Sequence, residues 1–452
     1  MTGGPPRHLD AVPPHVLLVG FGLTNQAVAV ALRDRGHQVT VTDDAPSDAT
    51  RAAAERIGVD LVVAPDASTL DSLVAATDLV VPSPGLPDRH PVFASSAAQG
   101  TAAVTELDLA AVWDQRPIVA ITGTNGKTTV TTMVTAMLGA AGIASVDAGN
   151  NDLPLVAAID DPTPAWFVVE ASSFRLGRTW GWAPRVATWL NLAPDHLDVH
   201  ATHADYEAAK ARIWSAQAAT DVAVGNLDDP VVARHLAVAP ARHVSFSTTD
   251  ASADYHLADG ELVGPGGAIV GAAQLPRALD HDVSNALAAA ATAEAAGCPR
   301  EAVREVLVGF GPLPHRVWPV ATIGGTTFYD DSKATVPHAT LAAVRGFESV
   351  VLIAGGRNKG LDLSTLAEGV DHVRAVVAIG EAAPEVAAAF DGLRPVEVAR
   401  SMPEAVATAA RLAHPGDAVL LSPACASFDW YPSYAARGDD FAAAVHALEE
   451  HP

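Results

Sequence analysis

Short apolar runs alternate with helix-like stretches through the first hundred residues. Residues 15–20 (HVLLVG) form an apolar run that enters a Gly-Phe-Gly turn, and a helical pattern follows as far as Arg35. Further strand-like runs lie at residues 38–42, 61–63 and 79–82. Strands that alternate with helices favour a parallel sheet with crossover helices. The pattern therefore predicts a Rossmann-like domain over residues 1–106.

Two more regions repeat this alternation. In the central one, the apolar run 117–122 (PIVAIT) enters a glycine-rich turn, and the next apolar run is 166–170 (WFVVE). Alanine-rich helical sequence follows at residues 283–297 and 300–310. We predict a second domain over residues 107–312 with a mostly parallel sheet, and a third, Rossmann-like domain over residues 313–452. The strand-like runs of the third domain are residues 350–354, 375–379 and 418–422.

Length and composition are typical of a folded globular protein of two or three domains. The chain has 452 residues, enough for two or three domains at about 150 residues each. Its net charge of −24 disfavours nucleic acid as a partner, because binding to phosphate backbones depends on positive charge. The N-terminus lacks the apolar middle of a signal peptide, and no apolar run reaches the length that a bilayer requires. We expect a cytoplasmic monomer with no membrane partner, and reduced thiols at Cys298 and Cys425.

Lysine is rare in this chain. Only four of its 28 basic residues are lysines, namely Lys127, Lys210, Lys333 and Lys359, and the other 24 are arginines. A lysine is required where a compact ammonium, or an amine that can lose its proton and react, cannot be replaced by a planar guanidinium. Each of the four is therefore a candidate functional residue, although ordinary surface lysines would give the same count.

The run Thr122-Gly-Thr-Asn-Gly-Lys-Thr-Thr129 follows an apolar strand and precedes a helical stretch. Backbone amides of such a turn bind phosphate at the positive end of a helix, Lys127 can neutralise the outer phosphates, and Thr128 can ligate Mg²⁺. Ile121 stands where the full P-loop pattern has its first glycine. The context nevertheless favours a P-loop ATPase-like central domain. Glu170, at the end of the next apolar strand, is a second candidate ligand of Mg²⁺.

The turn Gly20-Phe-Gly22 resembles the start of a dinucleotide-binding fingerprint. Asn25 stands at the third glycine position, and Asp43 ends the next strand, where an acid normally binds a ribose hydroxyl. This turn is compatible with an NAD(P) oxidoreductase, with another nucleotide-shaped ligand, or with a purely structural role. A second nucleotide site in the central domain argues against the oxidoreductase.

Two further clusters follow in the central region. The segment 191–198 (NLAPDHLD) groups one imidazole with two carboxylates, which suits a second hard cation or a carboxylate substrate. A capping turn would use the same residue types. The segment 206–214 (YEAAKARIW) carries Lys210 in a helical pattern, where an exposed contact with Glu207 is the ordinary alternative.

Taken together, these motifs resemble the Mur ligase family of ATP-dependent amide-forming enzymes over almost the whole chain. The resemblance includes the glycine-rich turn, the strand end at Glu170, and the segments 191–198 and 206–210. It also includes HDVSN at 281–285, LPHR at 313–316, DDSKAT at 330–335, GGRNKG at 355–360 and SPACASFD at 422–429. The DSKAT and SPACASFD segments favour the family member that adds D-glutamate to UDP-N-acetylmuramoyl-L-alanine.

The resemblance implies a role for each matching residue. The ATP-binding residues would be Gly123, Thr124, Asn125, Gly126, Lys127, Thr128, Thr129, Asn285, Arg316 and Asp331. Two Mg²⁺ ions would be held by Thr128, Glu170, His196 and a carbamylated Lys210, and the catalytic residues would be Lys127, His196, Lys210 and Lys333. The UDP-substrate would contact Thr24, Asp43, Ser83, Gly85, Asn150 and His196. D-Glutamate would contact Thr335, Lys359, Ser427, Phe428 and Tyr434.

Departures from the family pattern are local and fall mostly on the UDP-sugar side. They are Asn25, Ala27, Asp44, Asn151, Asp152, Ala171 and Arg175. Arg175 replaces the usual glutamine. Three alternatives stay open: another Mur ligase, a folylpolyglutamate synthase, and a nucleotide-binding partner subunit without activity of its own. An acyl phosphate formed from ATP and the acceptor carboxylate is the intermediate that the resemblance implies.

Overall fold

The computed structural model describes residues 9–150, 153–197 and 199–450. These residues form two compact units. The first comprises the described residues up to Leu192 together with Leu197–Ala272 and Ser284–Val308, and the second comprises Ala193–His196, Ala273–Val283 and the described residues from Gly309 onward. Within the described ranges, no helix is both long enough and apolar enough to cross a membrane. Asn151, Asp152 and Asp198 lie outside the described residues.

The first unit begins with a five-stranded parallel sheet in the order β3-β2-β1-β4-β5. Asn25 is fully buried and donates through Nδ2 to the carbonyls of Gly20 (2.8 Å) and Val81 (3.2 Å), so it ties α1 to two strand ends where the fingerprint has its third glycine. The elements are β1 (His15–Val19), α1 (Leu23–Asp34), β2 (Gln38–Asp43), α2 (Asp48–Ile57), β3 (Asp60–Val63), α3 (Ala67–Ala75), β4 (Leu79–Pro82), α4 (Pro91–Gln99), β5 (Ala102–Ala103) and α5 (Glu106–Trp113).

The same unit contains a nine-stranded sheet in the order β14-β13-β12-β11-β10-β9-β6-β8-β7. Its strands β6 and β9 are buried throughout, and β8 is buried apart from its first residue, as continuous apolar runs predict for parallel strands covered on both faces. The elements are β6 (Ile118–Thr122), α6 (Lys127–Ala140), β7 (Ser145–Gly149), α7 (Leu155–Ala158), β8 (Trp166–Glu170), α8 (Ser173–Leu176), β9 (Val186–Trp189), α9 (His203–Ser215), β10 (Val222–Asn226), α10 (Pro230–Leu236), β11 (Arg242–Ser247), β12 (Tyr255–Ala258), β13 (Glu261–Gly264), β14 (Gly267–Gly271), α11 (Asp280–Ala295) and α12 (Arg300–Gly309).

The second unit contains a six-stranded sheet in the order β15-β16-β20-β17-β18-β19. Only β15 and β16 pair antiparallel, and the other strands are parallel. The elements are β15 (Trp318–Ile323), β16 (Thr326–Asp330), α13 (Pro337–Val344), β17 (Val350–Gly355), a 3-10 helix (Leu363–His372), β18 (Val373–Ile379), α14 (Ala383–Phe390), β19 (Val396–Val398), α15 (Met402–Leu412), β20 (Ala418–Leu421) and α16 (Tyr434–Glu450).

The predicted parallel strands lie within one or two residues of the observed ones. Two antiparallel additions were not predicted: the meander β12–β14 and the hairpin β15–β16. The boundaries predicted at residues 106 and 312 remain a prediction. Glu106 is the first residue of α5, and residue 312 lies between α12 and β15.

Candidate active site

The turn between β6 and α6 presents an uncapped helix N-terminus. Gly126 is the N-cap of α6 with φ of 83°, no side chain caps the helix, and its first turn holds no acidic residue. A Cβ at Gly126 would lie 2.5 Å from Oδ1 of Asn285, so both the backbone angle and the space require glycine. The arrangement leaves backbone amides and the positive end of the helix available to an anion.

Lys127 and Asn191 fix the shape of this turn. The Lys127 ammonium donates to the carbonyls of Gly123 and Thr124, at 2.9 Å each. On the other side of the turn, Oδ1 of Asn191 accepts from the backbone amides of Thr124 (3.0 Å) and Asn125 (2.9 Å). Asn191 was not predicted as a site residue, although its position just after strand β9 is a signal for one. Thr128 and Thr129 are half-buried in the first turn of α6.

Lys210 is buried directly beside the same turn. Its side chain is 1% exposed on α9, and Nζ donates to the carbonyl of Gly123 at 2.7 Å. The ammonium also lies 4.7 Å from the centroid of the Tyr206 ring, and the Tyr206 hydroxyl is 3.0 Å from Oγ1 of Thr124. Glu207 pairs instead with Arg234 and His235. The alternative of an exposed helix lysine is therefore wrong.

Glu170 places its carboxylate oxygens near the glycine-rich turn between β6 and α6. It is buried at the end of β8, where it stands in register with Ile121 of β6, and its Oε1 accepts from Nδ2 of Asn150 at 2.9 Å. A carboxylate has further lone pairs beyond that bond. The carboxylate of Glu170 and the hydroxyl of Thr128 are hard oxygen donors of the kind that Mg²⁺ prefers. Among the described residues, no group of three His, Cys, Asp or Glu forms a metal cluster by protein ligands alone.

Two of the residues predicted to bind ATP, Arg316 and Asp331, lie in the second unit. Asp331 is buried after β16, where its carboxylate accepts from Oγ of Ser422 (2.7 Å) and from the backbone amide of Val317 (3.2 Å). Burial raises the pKa of Asp331 to about 7. Arg316 lies one residue before Val317, and its carbonyl accepts from Arg277.

The loop that carries His196 also belongs to the second unit. Asp195 is buried, and its carboxylate is 3.1 Å from the ammonium of Lys359. His196 has φ of 58°, and its Nε2 lies 3.2 Å from Oδ2 of Asp195. The carboxylate of Asp195 therefore contacts both His196, which is predicted to bind Mg²⁺, and Lys359, which is predicted to bind D-glutamate.

The residues predicted to surround D-glutamate come from three loops of the second unit and from the start of α16. Nζ of Lys333 lies 3.7 Å from the centroid of the Tyr434 ring. The Lys359 loop runs beside the loop of Ser427, because Arg357 pairs with Ala426. The side chain of Phe428 is 63% exposed, and Thr335 is half-buried after β16.

Arg437 joins two of these loops and was not predicted. Its buried guanidinium donates to Oγ of Ser332 (2.9 Å), the carbonyl of Ser332 (2.8 Å) and the carbonyl of Cys425 (3.1 Å). Burial lowers the pKa of Arg437 to about 10. Cys425 is buried and free, as is Cys298. Nothing in the local sequence of α16 distinguishes Arg437 from the 23 other arginines.

Four of the six residues predicted for the UDP-substrate, Thr24, Asp43, Ser83 and Gly85, lie close to the ends of β1, β2 and β4 in the first sheet. Asn150 follows β7, and His196 belongs to the second unit. Oδ2 of Asp43 accepts from the amide of Phe21 at 2.8 Å, which holds the glycine turn against the end of β2. Thr24 and Ser83 line one cavity together with Arg175 and Ser173, and Gly85 is exposed after β4.

Comparison with known proteins assigns the class. Residues 121–293 match the Mur ligase middle domain, and residues 315–425 match the Mur ligase glutamate ligase domain. The chain belongs to the Mur ligase family. Among its relatives is the UDP-N-acetylmuramoylalanine–D-glutamate ligase of Frankia casuarinae, 44% identical over 96% of this chain and 94% of that protein. Proteins of the same name from Geobacillus kaustophilus and Thermobifida fusca are 36% and 39% identical, each over 96% of this chain and 98% of the relative.

Solved structures support the fold. The pseudomurein peptide ligase type C of Methanothermus fervidus superimposes with a TM-score of 0.61 at 16% identity, and covers 96% of this chain and 100% of that one. The UDP-N-acetylmuramate–alanine ligase of Thermotoga maritima gives 0.57 at 17% identity, over 97% and 100%. The predicted three-domain α/β class is confirmed.

Proposed function

We propose that this Mur ligase joins the amino group of D-glutamate to the alanyl carboxylate of UDP-N-acetylmuramoyl-L-alanine at the expense of ATP, a step in the synthesis of peptidoglycan precursors. The observation that carries the proposal is the uncapped helix N-terminus at Gly126, braced by Lys127 and flanked by the buried Lys210. Relatives named D-glutamate ligases over nearly the full length support the choice of amino acid.

Amide formation from a carboxylate is unfavourable in water, so the carboxylate must be activated first. In the proposed reaction a carboxylate oxygen attacks the γ-phosphorus of ATP, and ADP leaves. The amine of D-glutamate then attacks the acyl carbon of the resulting acyl phosphate, loses its proton, and expels inorganic phosphate. The turn amides and Lys127 would stabilise the transferring phosphoryl group, with Asn285, Arg316 and Asp331 contacting the nucleotide.

Thr128 and Glu170 would hold a first Mg²⁺, and His196 with Lys210 a second. When bound, Mg²⁺ supplies positive charge that neutralises the phosphate oxygens. We propose that Lys210 is carbamylated for this purpose. A carbamate converts a lysine ammonium into an anionic oxygen ligand, and it forms when the lysine amine loses its proton and reacts with CO₂.

The remaining predicted residues complete the substrate contacts. Lys333 would approach the transferred phosphate, and Lys359 would pair with a carboxylate of D-glutamate near Thr335, Ser427 and Tyr434. Tyr434 is a better candidate than the exposed Phe428, because its ring already lies against Lys333. Thr24, Asp43, Ser83, Gly85 and Asn150 would bind the UDP-sugar. We further propose domains at 1–106, 107–312 and 313–452, and a cytoplasmic monomer that acts in cell growth and division.

The test is phosphate release by the purified chain with ATP, Mg²⁺ and UDP-N-acetylmuramoyl-L-alanine, in the presence of D-glutamate, L-glutamate or no amino acid. The proposal expects release that requires D-glutamate, together with an amide product of the corresponding mass. Release that does not depend on any amino acid, or a preference for another one, would contradict it.

The carbamate has a separate test. Lys210→Ala should abolish amide formation, and short carboxylates such as formate should restore part of it by supplying the missing anionic oxygen. Full activity of Lys210→Ala would refute the role of Lys210.

A further inference from the structure

The N-terminus of α1 is a second uncapped helix end in the first unit. Its N-cap is Gly22, no side chain caps the helix, and the first turn carries no acidic residue. A twelve-residue helix in this state attracts an anion through its free amides and its dipole. A helix end alone does not define a site, so the side chains around Thr24 must decide what binds there.

Arg175 reaches this helix end from a distant part of the chain. It belongs to α8, is 4% exposed, and lines the same cavity as Thr24 and Ser83. Its Nη2 donates to Oγ1 of Thr24 at 3.1 Å. Its Nε is buried and has no hydrogen-bond partner among the described residues. A buried donor without a partner costs free energy. The unsatisfied Nε therefore indicates that the cavity binds a ligand with a hydrogen-bond acceptor.

Glu106 holds Arg175 in place. The two side chains form an ion pair through Nη1 and Oε1, with exposures of 5% and 1%. Oε2 of Glu106 accepts from the backbone amide of Val156 at 3.1 Å, so both carboxylate oxygens are already engaged. A guanidinium fixed in this way loses little freedom when it donates to a further acceptor.

The other charged groups on the cavity wall are committed elsewhere. Arg178 donates to Asp88 at 2.7 Å, and its guanidinium lies 3.3 Å from the centroid of the Phe93 ring. His200 bonds to Asp88 and to Ser173. Arg175 is therefore the cation best placed to meet an anion at the end of α1.

We propose that Arg175 is a specificity-determining residue that recognises the diphosphate of the UDP-sugar. Its guanidinium donates to the diphosphate beside the N-terminal amides of α1. This inference rests on the proposed function and extends it, because the predicted UDP-substrate residues include no cation. A diphosphate supplies anionic acceptor oxygens for both the α1 amides and the remaining donors of Arg175, whereas uridine carries no anionic oxygen.

The test compares uridine with UDP by titration calorimetry, so that only the phosphates differ. Arg175→Gln alone would leave Glu106 as an unpaired buried carboxylate. The main variant is therefore Glu106→Gln with Arg175→Gln, which removes both charges together. Glu106→Gln alone keeps the guanidinium, and Arg345→Gln removes a guanidinium from an exposed ion pair that belongs to the second unit.

We expect the double variant to bind UDP at least about tenfold more weakly than the wild type, and uridine within about twofold, because a charge-assisted bond to phosphate is lost. Glu106→Gln and Arg345→Gln should keep the wild-type preference for UDP. In turnover, the KM for the UDP-sugar should rise in the double variant, while kcat and the KM for ATP stay unchanged. Thermal unfolding without ligand identifies any variant that fails to fold.

Equal loss of UDP and uridine affinity in the double variant would overturn the proposal, as would no loss of either. A wild type that does not distinguish UDP from uridine would also overturn it, and so would a Glu106→Gln variant that loses UDP as fully as the double variant. If the wild type prefers UDP through Arg175 but makes no amide with D-glutamate, the proposed function fails and the assignment of Arg175 stands.

Discussion

Each of the two glycine turns of the first unit precedes an uncapped helix N-terminus, but the cations beside the two helix ends come from different parts of the sequence. Each joins a parallel strand to a helix whose N-cap is a glycine, without a side-chain cap or an acidic residue in the first turn. At α6, the cation is Lys127, the first residue of the helix itself. At α1, the cation is the buried Arg175, which donates to Thr24 across 151 positions of sequence. The first arrangement is local and visible in a motif, while the second depends on the tertiary fold.

Breaking the distant arrangement should cost the most stability. In Arg175→Gln, the buried Glu106 loses its partner, and we expect the free energy of unfolding to fall by about 3 to 5 kcal/mol. Chemical denaturation measures the change. The double variant Glu106→Gln with Arg175→Gln should lose less than Arg175→Gln alone, because no lone charge stays buried. A double variant as unstable as the single one would show that charge is not the cause.

Breaking the local arrangement should affect chemistry more than folding. Lys127→Ala removes the charge that would face the phosphates in the proposed reaction, and we expect amide formation to fall by at least about 10²- to 10³-fold. Lys127→Arg should also fail, because a planar guanidinium does not replace an ammonium held between the carbonyls of Gly123 and Thr124. Single-turnover kinetics measures both variants. Near-normal activity of Lys127→Arg would contradict the argument from the scarcity of lysine.

Asp108 lies two residues after Glu106 on α5 and is a second buried carboxylate. Burial raises the pKa of Asp108 to about 6, although hydrogen bonds from Thr105 and Trp180 oppose the shift. Because the folded-state pKa lies above the unfolded value, the folded protein binds the proton more tightly. Protonation of Asp108 therefore contributes fully to the free energy of unfolding at low pH. This contribution, at most about 3 kcal/mol, is lost as the pH rises from about 4 to about 6.

Denaturation of the wild type and of Asp108→Asn over this pH range provides the measurement. The variant should lose a constant amount of stability, because one acceptor oxygen is gone, and its pH slope should be shallower. Identical slopes would assign the pH dependence to other groups.

Substitutions of two glycines, the N-cap residue of α6 and one residue inside that helix, should change stability the least and in opposite directions. In Gly126→Ala, the alanine must adopt a positive φ and its Cβ would clash with Asn285. We therefore expect the free energy of unfolding to fall by about 1 to 2 kcal/mol and ATP binding to weaken. Gly139 lies inside α6, and a Cβ added there would have no atom within 4 Å apart from its two chain neighbours and the backbone of its own helix. Gly139→Ala should gain about 0.5 to 1 kcal/mol, because alanine is the better helix former. Thermal unfolding distinguishes the two, and a loss at both positions would contradict the steric account.

Much of the architecture could be predicted because parallel strands buried on both faces appear as continuous apolar runs. The antiparallel meander β12–β14 was missed, although its first turn has a readable signal. Asp259 and Gly260 both have positive φ, which is the type I′ hairpin turn that an Asp-Gly pair favours. The strands on either side are only four residues long and weakly apolar, so their pattern is faint.

Within the site, residues on local motifs were predicted and residues joined only by the fold were not. The scarcity of lysine identified Lys210 as a candidate, and its near-complete burial is consistent with that choice. Arg437 braces its loops through contacts that no local pattern reveals, whereas the position of Asn191 just after β9 was a signal that the prediction did not use. Arg175 was visible as a departure from the family, but its partner Glu106 lies 69 positions away.

The most direct test of the proposed chemistry follows one oxygen atom. The acceptor is prepared with ¹⁸O in both oxygens of its alanyl carboxylate, and the released phosphate is analysed by mass spectrometry after turnover with ATP and D-glutamate. Activation through an acyl phosphate predicts that each phosphate carries one ¹⁸O, while the other stays in the amide. Amide formation with unlabelled phosphate would contradict the account, because the carboxylate would not have been phosphorylated.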